Sequence, residues 1–414
     1  MPNAESIPTL ADLFPAVENR GPDRPAREAV ATSVRGATIV LTGAGGSLGR
    51  ALAHEFAALP VGRLLCLDTS EQGLVQLRDR LRDGEGLPRR ARGEAAGPRP
   101  DVDYRLADLR LATDRARVLR AGPDVVVHAA AYKHVPFLEE RPVAATQNNL
   151  LATAEWLRAC RDHASVRRFV LVSTDKAVRP TGVMGRTKAA AEHLLRALRA
   201  EADPALRATT VRLCNVFGSR GSVVPRFCRR LQNGAPLPLT HPDMERWFVT
   251  RTEAARAVLG ALRQEAGTYV PTTGRRVRIE DLVHRLVRWH HPDADPETWI
   301  RYVGLRAGER LREAMLAPAE RPGDPVGGGL RRAHARPPTL TTDALREGLA
   351  RLRRACRAGD DAAVRAHLRA MVPDASGPAP AEQTPPLDSA DERAVDGSPP
   401  GPAQGDDTTR GSFL

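Results

Sequence analysis

Ala37-Thr-Ile-Val-Leu-Thr42 runs without interruption into Gly43-Ala-Gly-Gly-Ser-Leu-Gly49 and then into the amphipathic Arg50–Leu59. The first of these is a short apolar run of the kind found in buried parallel strands. The glycines that follow have the spacing of a phosphate-cradling turn. Gly43 permits the tight turn, Gly46 lets the backbone approach a pyrophosphate, and Gly49 lets the helix pack close to the strand. Ser47 and Leu48 belong to the same cofactor-binding turn. A glycine pattern alone is weak evidence. Here the next strand, Arg63–Leu67, ends in Asp68, about where an acidic residue meets an adenosine ribose.

Outward from that unit the alternation continues. Asp103–Leu106 is a short strand leading to Asp108, and 110–120 has helical spacing. Asp124–His128 is an apolar strand running into Ala129-Ala-Ala131, whose small residues suit a cofactor lying across the sheet edge. Asp108, Ala129 and Ala130 therefore join the candidate cofactor residues. A helix over 142–160, a strand Arg168–Ser173, a helix beginning near Gly185 and a strand Thr209–Leu213 complete the series. The expectation is an α/β, Rossmann-type doubly wound parallel sheet with right-handed crossovers. Residues 1–36 read as an arm, 37–213 as the dinucleotide-binding domain, and 214–373 mainly as a smaller substrate-binding lobe. Residues 83–102 read as a surface loop. The tail 374–414 is too poor in apolar residues to offset ordering and is expected to be disordered.

Composition narrows the function. The 414 residues carry a formal charge of +12, with 42% hydrophobic and 4% aromatic content. Arginines are spread along the whole chain with no basic arm and no interleaved aromatics, which disfavours nucleic acid and suits an anionic small molecule. Five scattered cysteines without a Cys-x-x-Cys pair favour reduced thiols and a cytoplasmic location, and argue against a zinc site. The pair His290-His291 before Pro292 reads as a turn, so no metal is expected. Neither a secretory signal nor a membrane-spanning apolar run is present in the sequence.

Only three lysines occur among 62 basic residues, and two of them, Lys176 and Lys188, fall in Ser173-Thr-Asp-Lys-Ala-Val-Arg-Pro-Thr-Gly-Val-Met-Gly-Arg-Thr-Lys188. The third is Lys133. Arginine cannot give up its proton near neutral pH, whereas a desolvated lysine can. Thr174, Asp175 and Lys176 stand together at a strand's C-terminal end, where hydroxyl, carboxyl and amine can converge on one pocket.

Several segments together resemble the extended short-chain dehydrogenase/reductases, and more closely their polysaccharide-biosynthesis branch of UDP-N-acetylglucosamine 4,6-dehydratases. They are Thr42–Gly49, His128-Ala-Ala-Ala-Tyr-Lys-His-Val-Pro136, Asn148-Asn149, Ser173–Pro180, Met184-Gly-Arg-Thr-Lys188, Gly218-Ser-Arg-Gly-Ser-Val-Val-Pro225, Thr240–Phe248 and Gly304-Leu-Arg-Ala-Gly-Glu309. The resemblance spans about 25 to 373. Many relatives carry membrane helices and a further domain in front, and the chain is expected to be the soluble catalytic part.

The resemblance implies transient oxidation at sugar C4 by bound NAD⁺, proton loss at C5, loss of the C6 hydroxyl and return of the hydride to C6. It implies Asp175 as the acid at O6, Lys176 as the base at C5, and Lys188 on the nicotinamide ribose. It places Lys133 at the pocket floor and Asn215, Val224, Arg246, Arg306 and Glu309 around the UDP-sugar. Position 184 is normally tyrosine in these reductases and deprotonates the hydroxyl being oxidised. Met184 has no titratable group, so the C4 base stays open between Asp175 and water relayed through Lys188 and Thr174. Cys214 stands where relatives usually have glycine. Asp68, followed by Thr69 and Ser70, favours NAD⁺ over NADP⁺ because a carboxylate repels a 2′-phosphate. A homo-oligomer is expected. The competing readings are a dehydratase stopping at a 5,6-unsaturated sugar, a UDP-sugar 4-epimerase, and a non-catalytic NAD- or sugar-nucleotide-binding module.

Overall fold

A computed structural model describes residues 7–15, 24–84, 100–200, 206–335 and 340–374. Its strands, in chain order, are β1 (Thr38–Thr42), β2 (Arg63–Asp68), β3 (Asp101–Leu106), β4 (Val125–His128), β5 (Arg168–Thr174), β6 (Arg207–Leu213), β7 (Asn215–Val216), β8 (Leu237–Leu239), β9 (Glu245–Val249), β10 (Gly267–Pro271), β11 (Arg275–Arg278), β12 (Ile300–Tyr302), β13 (Glu320–Val326) and β14 (Leu330–Ala335). Nine of them form one sheet in the order β13-β14-β10-β6-β5-β4-β1-β2-β3. All neighbours from β3 through β10 are parallel, and β14 and β13 add an antiparallel edge. The strand order reverses between β1 and β4, which opens a crevice at their C-terminal ends.

Ile39, Val40 and Leu41 of β1 and Val126 and Val127 of β4 are fully buried because helices cover both faces. One apolar layer holds Trp156, Phe169, Leu195 and Leu352, and the other Phe56, Leu64, Val211 and Val258. The helix following β1 spans Ser47–Ala57. The one expected near Gly185 spans Val183–Ala200. The helix expected over 142–160 is Pro142–Thr146 and Ala152–Arg161 joined by a π-turn at Gln147–Leu151.

The sheet does not end at residue 213. β10, β13 and β14 return to it, and the helices Thr342–Ala358 and Asp361–Met371 complete its first apolar layer through Leu345, Leu352, Val364 and Leu368. Only the middle of 214–373 builds a separate core, around Phe217, Phe227, Phe248, Leu282 and Leu286. The expected arm is also partly structured. Helix Arg24–Ser33 sends Val30 and Val34, just beyond its end, into the second layer. Leu10, Leu13 and Phe14 dock on the separate core, with Phe14 under the guanidinium of Arg285 at 4.6 Å. The tail from 375 and most of the expected 83–102 loop lie outside the described residues.

Candidate active site

The glycine turn is shaped by close approach. Gly43 has φ 71°, and a Cβ there would stand 2.8 Å from Ala130 Cα, so the turn lies directly against Ala129–Ala130. A Cβ on Gly49 would strike the Gly43 carbonyl and come within 2.7 Å of Ala44 Cα. Gly46 caps the helix with no side chain, which leaves the first-turn N–H groups of Ser47 and Leu48 for an anion. At the tip of β2, Asp68 accepts from Gly45 N–H at 2.8 Å and from Ser70 N–H at 2.9 Å. Asp108, past the end of β3, pairs with Arg110 at 2.6 Å, and that hydrogen bond holds its carboxyl below the usual range. The glycine turn, the free first-turn N–H groups and an acidic residue at the tip of β2 fit a dinucleotide.

Beneath the cradle, Thr42 Oγ1 lies 2.9 Å from His128 Nδ1, and His128 Nε2 lies 2.9 Å from Thr153 Oγ1, which itself donates to the Asn149 carbonyl. Since the Thr153 proton is used on Asn149, His128 donates from Nε2 and accepts at Nδ1. Burial, with the nearby Lys188 charge, pushes this imidazole down to about 3, so it is neutral. Lys188 is itself 5% exposed, and burial lowers it to about 8 against the opposing pull of Glu192.

β5 ends at Thr174, and a 3-10 turn carries Asp175 and Lys176. Asp175 Oδ1 accepts from Thr174 Oγ1 at 2.8 Å, Lys176 N–H at 2.9 Å and Lys176 Nζ at 3.0 Å. Asp175 Oδ2 is buried without a hydrogen-bond partner. Lys176 Nζ also donates to Asn215 Oδ1 at 3.3 Å. The triplet is thus one connected group with a single carboxylate oxygen left over. Met184, 5% exposed, sits one helical turn before Lys188. Tyr269 and Tyr302 are committed elsewhere, to the Glu265 carbonyl and to Glu280.

The outer residues are placed less as expected. Lys133 has an exposed side chain that reaches Ser219 Oγ at 3.3 Å, and burial of its amine, then the Arg220 charge, lowers it. Val224 is 0% exposed within the separate core, so its side chain supports the helix Val223–Gln232 and lines no opening. Arg246 donates to the carbonyls of Glu245, Arg310 and Leu311 at 2.7, 2.7 and 2.8 Å, so it fastens a backbone segment. Arg306 is exposed, and its backbone N–H donates to Glu309 Oε2 at 3.3 Å across a turn. Asn215 binds Lys176 and the Trp247 carbonyl.

Other residues gain a role only through the fold. Asn149 clamps the Tyr132 backbone, accepting its N–H at 2.8 Å and donating to its carbonyl at 2.9 Å, and so fixes the Lys133 loop. The π-turn that presents Asn149 has no sequence signature. Arg220 N–H donates to Ser47 Oγ at 2.8 Å, and its guanidinium shares Gln76 Oε1 with Arg50, each at 2.7 Å. Burial and then the charges of Arg220, Arg80 and Arg251 lower Arg50. Arg226 lies near enough to Arg306 that, after burial, that charge lowers it further. Behind β5, Arg212 forks between Glu192 and Glu320 at 2.5–3.0 Å, and Ser173 Oγ donates to Glu192 at 2.6 Å. Burial pushes Glu192 up, but Arg212 and Ser173 leave it below the ordinary range. A salt-bridged surface would have hidden these arginines in the general excess; only their position singles them out.

A dinucleotide cradle, a Thr-Asp-Lys triplet and a buried lysine four residues after Met184 define a chain of the extended short-chain dehydrogenase/reductase class. The family described as "Polysaccharide biosynthesis protein" matches residues 39–324, and the chain belongs to it. It is 36% identical over 282 residues to the capsular polysaccharide biosynthesis protein CapD of Staphylococcus aureus, covering 67% of this chain and 45% of that protein. It is 34% identical over 224 residues to a UDP-N-acetylglucosamine 4,6-dehydratase (inverting) of Campylobacter jejuni, covering 53% of this chain and 63% of that one. The chain thus spans about half the length of CapD. Among solved structures, DesIV of Streptomyces venezuelae, a dTDP-glucose 4,6-dehydratase with NAD and TYD bound, matches with TM-score 0.56 and 22% identity. The match covers 78% of this chain and 98% of that one, a likeness of fold. No helix among the described residues is long and apolar enough to cross a membrane.

Proposed function

We propose that the chain is a nucleotide-sugar dehydratase that converts UDP-N-acetylglucosamine to a UDP-4-keto-6-deoxy-N-acetylhexosamine. The observation that carries this reading is the asymmetric Asp175. Three donors load Oδ1 and leave Oδ2 buried and free, beside the Lys176 amine. Elimination of water needs an acid and a base on one substrate, and adjacent groups of this kind supply both. Asp175 Oδ2 meets the C6 hydroxyl and Lys176 takes the C5 proton, while Thr174 orients the C4 hydroxyl. A bound NAD⁺ would take up the C4 hydride and give it back at C6. Gly43, Gly46, Ser47, Leu48, Gly49, Asp68, Asp108, Ala129, Ala130 and Lys188 hold that cofactor. Arg226 and Arg306, with Glu309 near them, take the UDP end, where a guanidinium fork matches a diphosphate, and Asn215 holds Lys176 beside the sugar.

The test is incubation of purified, NAD-loaded protein with UDP-N-acetylglucosamine, followed by mass spectrometry. The reading requires loss of one water. Unchanged mass with the cofactor confirmed bound sinks it.

A further inference from the structure

Between β7 and the helix Val223–Gln232 the chain crosses from the Lys176 side of the site to the glycine turn, fastened at intervals on the way. Asn215, on β7, accepts from Lys176. The Phe217 N–H donates to the Val249 carbonyl at 2.8 Å, and Arg251 Nη2 donates to the Gly218 carbonyl at 2.7 Å. Ser219 is buried; its hydroxyl accepts from Lys133 Nζ and its carbonyl from the Ser222 N–H at 2.9 Å. Gly221 has φ 71°, and a Cβ there would stand 2.6 Å from His134 Cε1, so the segment is threaded close against the Lys133 loop. Within 217–222 only Arg220 is exposed. Its N–H donates to Ser47 Oγ at 2.8 Å, which seats it on the first residue of the helix whose free N–H groups face an anion.

The Arg220 guanidinium continues along that helix. Arg220 Nη2 and Arg50 Nη1, one turn on from Ser47, both donate to Gln76 Oε1, each at 2.7 Å. Two cations thus meet on one neutral oxygen, and neither forms an ion pair among the described residues. The charges of Arg80 and Arg251 also bear on Arg50, and Asp68 opposes them. That carboxylate is itself held by the Gly45 and Ser70 N–H groups. A neutral amide oxygen orders two guanidiniums without cancelling their repulsion, whereas a phosphate does both.

We propose that Arg220, with Arg50 beside it, binds the pyrophosphate of the dinucleotide, and that 217–222 is a strap holding the cofactor on the glycine turn. The strap comes from the segment that begins at Asn215 and leads into the helix of Arg226, so it joins the sugar-nucleotide side to the cofactor side. Its use follows from any reaction in which a hydride leaves the sugar and comes back, whether dehydration or epimerisation. A cofactor that departed in between would strand an oxidised sugar. Arg220 is a cofactor ligand and takes no part in proton transfer. The assignment needs a dinucleotide on the glycine turn and no particular sugar.

The test uses the full chain freed of cofactor. NAD⁺, NADP⁺ and ADP-ribose are titrated by calorimetry, and release of NADH is followed by fluorescence in a stopped-flow chase. Arg220→Gln is expected to weaken all three ligands about tenfold and to speed NADH release by about the same factor, the loss of one charge-assisted fork. The difference narrows at high salt. Arg220→Lys recovers part of the loss, and Arg50→Gln shows a smaller loss of the same kind. Gln76→Leu, which removes the shared acceptor and leaves both guanidiniums, keeps the parent's affinity. Because Arg220 is exposed, the cofactor-free Arg220→Gln protein melts with the parent. An Arg220→Gln protein with the parent's affinity and release rate overturns the proposal. So does an equal loss in Gln76→Leu, which would make Arg220 a tie for its own loop. A loss confined to NADP⁺ overturns it too, by putting the guanidinium on a 2′-phosphate. The dehydratase reading is decided by turnover, and this assignment by binding alone.

Discussion

Replacing Lys188 by methionine should stabilise the cofactor-free protein and weaken its hold on the dinucleotide. Burial lowers this lysine from 10.5 to about 8. At about 1.4 kcal/mol per pKa unit, carrying the charge inside costs the folded state about 3 kcal/mol at neutral pH. Both folded and unfolded lysines are protonated below about 8, so the cost is fully present there. As pH rises from about 8 to 10.5 the folded state gives up its proton first, and stability climbs until the cost is gone. A methionine carries no such cost at any pH. In thermal melts at pH 7 the variant should melt higher, by on the order of 5 °C. That advantage should shrink steadily between pH 8 and 10, and NAD affinity should fall at least tenfold. A variant that melts lower at pH 7, or whose difference from the parent does not change with pH, refutes the assignment of a charged, costly Lys188.

The remaining predictions are more local. Gly49→Ala places a methyl against the Gly43 carbonyl, and should abolish NAD binding in calorimetry while the sheet persists in circular dichroism. Arg212→Met leaves Glu192 and Glu320 buried without their shared cation and should cost about 3–5 kcal/mol by chemical denaturation. Arg226→Ala should weaken UDP binding about tenfold at low salt and by less at 1 M salt, because exposed charge is screened there. Lys176→Ala should stop water loss with NAD content unchanged; continued water loss would remove Lys176 from the reaction.

The parallel half of the sheet was legible because β1, β2, β4 and β5 are short apolar runs ended by small or polar residues, while β6, Arg-Ala-Thr-Thr-Val-Arg-Leu, was legible by its β-branched residues and its place in the strand–helix alternation. β13 and β14 were not. Glu-Arg-Pro-Gly-Asp-Pro-Val and Leu-Arg-Arg-Ala-His-Ala have neither an apolar run nor clean alternation. An edge strand tolerates Pro322 and Pro325 because one side of it needs no ladder bonds. The catalytic triplet was visible because its members are adjacent in sequence. Asn149 was visible as part of a matching segment without a role, and Arg226 was invisible because the fold alone brings it beside Arg306. The task of Arg246 was not legible either: a guanidinium that reads as a diphosphate ligand also holds three backbone carbonyls here.

The central claim is that one site performs oxidation at C4 and elimination across C5–C6 on the same sugar. Product NMR after turnover of UDP-N-acetylglucosamine in deuterated water tests it most directly. The account predicts a 4-keto-6-deoxy sugar with a methyl at C6 and solvent deuterium at C5. A C4 epimer that retains the C6 hydroxyl and carries no deuterium at C5 would contradict it.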